Sequence, residues 1–217
     1  MRRVLPLLPA LVDAALMPAL APRVTIDLSF GDYMNRAERL SLARQLMRCY
    51  GNNKKHRSPV DLHFSGVGAA EASYPECLPP PEQNFRERWQ SISLREEPAG
   101  AAWQPSELVW LSPDAEEPLE APLDPNVVYV LGGFIDRSVD KGRSLSHARQ
   151  CGAIARRLPL REHAARSDVH PILTLPACVS ILADVGGGAT WEQAFATAVP
   201  NRNLARRVKE EAQRNGN

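Results

Sequence analysis

The run Val127-Val128-Tyr129-Val130-Leu131-Gly132-Gly133-Phe134-Ile135-Asp136 sets a carboxylate just behind two glycines that end a continuous apolar stretch. Its composition is that of a strand covered on both faces, and the glycines allow a turn at positive φ and close approach of main-chain N–H groups to a ligand. Open α/β sheets bind ligands at such strand-end junctions. The same residues also fit an ordinary strand-to-helix turn in which Asp136 caps the helix or pairs with Arg137 or Arg143. Asp27, near the end of an earlier alternating stretch, is a second acid that could face the same cleft or water, and Asp32 is a third.

Basic side chains fall into clusters: Lys54, Lys55, His56 and Arg57; Arg137, Lys141 and Arg143; Arg156, Arg157, Arg161 and Arg166; Arg202, Arg206 and Arg207. A net charge of +1 says nothing about partners, so any electrostatic case rests on this clustering. Other chemistry is missing from the sequence. Gly66-Val67-Gly68 lacks the third glycine and later acid of a dinucleotide loop, and no P-loop, nucleophile elbow or H-E-x-x-H occurs. Cys49, Cys77, Cys151 and Cys178 have neither zinc-ligand spacing nor the pattern of a disulfide framework, so a reducing compartment and no metal are expected.

The elements that must position these groups follow from periodicity. With 217 residues, 44% of them hydrophobic, the chain can bury one sizeable core. Its first 22 residues carry Arg2-Arg3 and then a Leu/Pro/Ala stretch interrupted by Pro6, Pro9, Asp13 and Pro18, too broken to span a bilayer or serve as a secretory signal. A loosely attached arm and no membrane contact are expected there. Alternation predicts a strand over 24–30. A helix over 36–50 puts Leu40, Ala43, Leu46, Met47 and Tyr50 on one face and is stopped by Gly51-Asn52-Asn53. Further strands are predicted at 60–64, 107–111, 127–131 and 153–158, with a short helix near 83–90 in an irregular middle and a helix at 144–150. Two more helices are predicted, from about 171 to Gly186 and from an N-cap at Thr190 to about 199. This order implies a parallel sheet flanked by helices.

Three loops then leave neighbouring strand ends: Leu111-Ser112-Pro113-Asp114, Leu131-Gly132-Gly133-Phe134-Ile135-Asp136, and Arg156-Arg157-Leu158-Pro159-Leu160. Together with V-x-I-D-L-S-F-x-x-Y-M at Val24 to Met34, Y-G-x-N-K-K at Tyr50 to Lys55, Lys141-Gly142, R-L-P-L at Arg157 to Leu160 and W-x-x-A-F at Trp191 to Phe195, they carry a resemblance. The chain resembles the tRNA N1-purine methyltransferases that act at position 9, members of the knotted SPOUT superfamily. The likeness spans roughly residues 24–202, leaving an arm at 1–23 and a polar tail at 203–217.

What the resemblance implies is an α/β sheet with a C-terminal deep trefoil knot, an exception to unknotted topology, and S-adenosylmethionine as cofactor. Leu111, Ser112, Leu131, Gly132, Gly133, Leu158, Pro159 and Leu160 would line the cofactor cleft. Guanine N1 carries a proton at neutral pH, so Asp136 would accept it or orient the base, with Asp27 next in line; such a general base contributes about 10²- to 10⁴-fold. Adenine N1 has no such proton and would need Asp136 in another role. Lys54, Lys55, Arg57, Arg137, Lys141, Arg143 and Arg157 would grip tRNA phosphates. The expected protein is a monomer of the cytoplasm or nucleus, with a mitochondrial address left open. Departures from the family pattern, a Pro/Ala stretch in place of a basic arm and Gly186-Gly187-Gly188 where a helix normally continues, motivate the rival reading of a knotted tRNA-binding protein that needs a partner for turnover.

Overall fold

The computed structural model describes residues 21–135, 142–164 and 173–198. The alternating stretch forms β1 (Arg23–Asp27), and α1 (Arg36–Lys55) follows it. That helix begins where Asn35 and Glu38 cap one another: Asn35 Oδ1 accepts from Glu38 N at 3.0 Å, and the Glu38 carboxylate accepts from Asn35 N at 2.9 Å. Leu42, Leu46 and Cys49 form its buried stripe. The stop expected at Gly51-Asn52-Asn53 is absent, and the helix continues to Lys55. Asn53 turns inward instead, its side-chain amide donating to Val60 O and accepting from Val60 N, both at 2.9 Å. The bonding capacity that makes asparagine a turn former is used here to fix the entry of the next strand.

β2 (Asp61–Ser65) pairs in parallel with β1. The middle holds more order than one short helix: α2 (Val67–Ser73), α3 (Phe85–Arg88), β3 (Ser93–Leu94) and α4 (Ala99–Ala102). β3 is too short to show alternation and exists through its pairing with His63 and Phe64. β4 (Leu108–Leu111), β5 (Val128–Gly132), α5 (Arg143–Gln150) and β6 (Ile154–Arg156) lie close to their expected places. β6 is shorter than expected because from Arg157 the chain leaves β4 and runs beside residues 117–119. α6 (Leu160–His163), α7 (Leu175–Gly186) and α8 (Trp191–Ala198) complete the described chain. The expected arm up to residue 20, the tail from 203 and the start of a helix at 171 lie outside the described residues.

All pairings are parallel, and the six strands run in the order β3-β2-β1-β5-β4-β6. Tyr129 and Leu131 enter a larger core with α1, α7 and α8, whereas Val128 and Val130 face a smaller one with Ala99 of α4 and Ala148 of α5. Burial on both faces is why β5 is continuously apolar. α7 starts at a Thr174 cap with Pro176 in its first turn, where proline is tolerated. Its glycine end follows from crowding: a Cβ on Gly186 would run into Pro22, and one on Gly187 would lie 2.6 Å from Ser58 Oγ.

Gly51 sits inside α1 with nothing within 4 Å of where its Cβ would be. Gly51→Ala is therefore expected to stabilise the protein by about 0.5–1 kcal/mol, by reducing the backbone freedom of the unfolded chain. A urea denaturation midpoint that falls in this variant would contradict the helical reading of the Gly-Asn-Asn stretch.

Candidate active site

At the carboxyl edge of the sheet Leu111 pairs with both Leu131 and Arg156, so the loops after β5, β4 and β6 leave side by side. They are also tied to one another. Ser112 N donates to Arg156 O at 2.9 Å, and Gly142 N donates to the Asp114 carboxylate at 2.8 Å. Leu119 N donates to Arg157 O at 2.7 Å and Arg157 N to Glu117 O at 3.0 Å. The Asp114 contact was not foreseen from the sequence, where that residue reads only as turn chemistry. Leu111, Leu131 and Leu160 are 7%, 4% and 7% exposed and make an apolar floor; Pro159 and Ser112 are buried with them, and Leu158 is half-buried at the rim.

The glycine pair acts differently from expectation. Neither Gly132 nor Gly133 has positive φ. They are glycines because there is no space. A Cβ on Gly133 would lie 2.5 Å from Asp27 O, and one on Gly132 would lie 2.7 Å from the Phe134 ring, which folds back over it. Gly133 N donates to Asp27 O at 2.7 Å, which carries the β1–β5 pairing one step past the strand. A bulky substitution at Gly133 would thus break this contact whether or not a ligand approaches.

Asp27, expected as a second catalytic acid, is fully buried; one carboxylate oxygen accepts from Ser29 N at 3.0 Å and the other from Ala99 N at 2.8 Å. It cannot meet a substrate and instead positions the loops around it. Asp136, Arg137 and Lys141 lie outside the described residues, but both anchors of their segment are described. Ile135 N donates to Met34 Sδ at 3.3 Å, and Gly142 is held by Asp114.

The cations divide. Arg143, at the start of α5, places its guanidinium 3.7 Å from the Tyr33 ring centroid beside the loops. Arg157 is 11% exposed and held in a two-pronged pair with Glu162, at 2.9 and 2.6 Å. Its guanidinium is thus engaged within the protein, and a phosphate would have to compete with Glu162 for it. Lys54, Lys55 and Arg57 are exposed but stand just ahead of β2, whose Asp61 pairs with Arg23 at the start of β1. They occupy the amino edge of the sheet, about 16 Å, one strand length, from the loops. Among the described residues no group of three or more His, Cys, Asp or Glu is placed to hold a metal, and no helix is long and apolar enough to cross a membrane.

This is a parallel α/β protein in which three loops leave the carboxyl edge of the sheet side by side. A sequence model described as tRNA (guanine(9)-N(1))-methyltransferase TRM10/TRM10A matches residues 15–204, and the chain belongs to that family. It is 35% identical to human tRNA methyltransferase 10 homolog B over 146 residues, 67% of this chain and 45% of that protein. It is 27% identical to the tRNA (guanine(9)-N1)-methyltransferase of Eremothecium gossypii over 183 residues, 84% of this chain and 60% of that one. A crystal structure of full-length spTrm10 in complex with SAH superposes with a TM-score of 0.70 at 25% identity, covering 83% of this chain and 98% of that one. The chain spans about half the length of the curated relatives it matches, 45% to 58% for the homolog B proteins of rat, mouse and cattle.

Removing the Asp27 charge should leave one backbone donor without a good acceptor. Asp27→Asn is expected to lower unfolding free energy by about 1–3 kcal/mol in urea titrations. Arg157 holds the Glu162 carboxyl down from 4.5 to about 2 through their hydrogen bonds. Because the folded value is the lower one, the pair's contribution is complete above pH 4.5 and is lost as pH falls toward 2. Solvent screening of this exposed carboxylate keeps the effect under about 1 kcal/mol. Glu162→Gln should flatten that part of the stability profile, and an unchanged acid slope would count against the pair.

Proposed function

We propose that this chain methylates N1 of the purine at position 9 of tRNA from S-adenosylmethionine, with guanine as the leading base and adenine as the second. The observation that carries the reading is the cross-bonded set of three loops at one sheet edge in a chain that matches the family over residues 15–204. SAH is the demethylated form of S-adenosylmethionine, which supports that cofactor. The residues fit the group. The leucine floor of Leu111, Leu131 and Leu160, with Leu158 at the rim, suits an adenine ring.

When bound, the sulfonium supplies an electrophilic methyl group. The chain's own residues must hold the base and deal with its proton. Asp136 is the acceptor for the guanine N1 proton, on a segment anchored at one end through Met34 and at the other through Asp114. Arg137, Lys141 and Arg143 serve flanking phosphates. The fold proposed with this activity is the family's C-terminal trefoil knot, in which the chain after β6 would continue alongside the β4–β5 connection it pairs with at 117–119. We take the protein to act as a monomer in the cytoplasm or nucleus. The rival of a tRNA binder without turnover is not favoured by relatives that are named methyltransferases.

Incubated with total tRNA and S-adenosylmethionine, the chain is expected to produce N1-methylguanosine detectable by nucleoside mass spectrometry. Asp136→Asn should slow single-turnover methylation of guanine by about 10²-fold or more. Cofactor binding by calorimetry without any N1-methylpurine product would overturn the reading in favour of the binder.

A further inference from the structure

Among the described residues, Tyr33 and Ile154 are the large hydrophobic side chains left exposed, at 55% and 51%. Ile154 begins β6, at the edge of the sheet. Tyr33 differs because its turn is built to hold it out. Arg39 Nε donates to Gly31 O at 2.9 Å, Tyr33 N donates to Phe30 O at 3.2 Å and Met34 N to Gly31 O at 3.3 Å. The Tyr74 ring fills the space that a side chain on Gly31 would need. The ring neighbour of Tyr33 is the fully buried Phe30, tilted to it with ring centroids 6.3 Å apart; Phe30 in turn lies 5.1 Å from Phe134.

This turn touches the chain on both sides of the segment that carries Asp136. Met34 meets Ile135 just ahead of it, and Tyr33 meets Arg143 just behind. On the methyl-transfer reading above, we infer that Tyr33 is the stacking platform for the target purine. N1 lies on the pairing edge of the base, so the base must leave its stack in folded RNA before a methyl group can reach it. The stacking lost is restored by an aromatic face already fixed in water where the chain enters and leaves that segment. The Arg143 guanidinium lies over one face of the ring, 3.7 Å from its centroid, so the base takes the other face. Every purine offers the same π face, so Tyr33 receives guanine and adenine alike and leaves their discrimination to contacts at the N1 edge.

The test uses the full chain with Tyr33→Phe and Tyr33→Ala. In single-turnover methylation of a tRNA with guanine at position 9, Phe should stay within about threefold of the parent and Ala should lose about 5- to 150-fold, the range set by one base–aromatic stack. Thermal midpoint and S-adenosylmethionine affinity should be alike in all three. A second arm places 2-aminopurine at position 9: its fluorescence should be quenched on binding the parent and the Phe variant and brighter on binding the Ala variant. Methylation by the parent with Ala and Phe indistinguishable in both arms overturns the stacking role. The expected fluorescence pattern without methylation by the parent sustains that role and sinks the methyl-transfer reading.

Discussion

The buried carboxylate of Asp27 is the joint on which the working edge of this protein depends. Its two oxygens take the N–H groups of Ser29 and Ala99, and its own main-chain carbonyl takes that of Gly133. One residue thereby sets the exit from β1, the start of α4 and the first step beyond β5. Gly66 belongs to the same joint. It holds φ +71°, and a Cβ there would lie 3.0 Å from Ser29 N and 3.1 Å from Asp27 Oδ1. Among the described residues no cation pairs with this carboxylate, and a buried charge of that kind persists only when backbone donors saturate it, so these contacts stand or fall together.

Strand and helix order was legible because β1, α1, β5 and α7 carry strong periodicity or strong caps. The failures have particular causes. Asn53 looked like a helix terminator because its side chain competes with backbone, yet Val60, seven positions on at the entry to β2, supplied the partners. β3 exists only through its neighbours. The glycine pair was read as a turn at positive φ, since crowding against β1 leaves no mark in sequence that differs from that requirement. Asp27 looked like a free acid because nothing local announces that Ala99, 72 positions away, will donate to it.

Site residues were legible as loops rather than as roles. The sequence brought together Leu111, Ser112, Leu131 and Leu160; the register sets Leu111 beside Leu131, Ser112 bonds to Arg156, and Leu160 joins the same buried core. It also grouped cations by proximity along the chain, which says little about which edge of a sheet they reach. Lys54, Lys55 and Arg57 follow a helix that returns to the amino edge, and Arg157 is satisfied by Glu162 five positions on. Tyr33 sat in plain view within a motif, but its exposure depends on Tyr74 and Arg39, which only the fold brings beside it.

The missing side chain at Gly186 has a mechanical consequence. Pro22, the residue that leads into β1, rests where that side chain would be, so the entry to the sheet and the last turn of α7 are packed directly on one another. Tension applied to the segment ahead of β1 would pass into α7 at the amino edge of the sheet. The three loops lie beyond the far ends of the strands, so a pull on that leader would strain the rear of the domain while the cleft kept its shape.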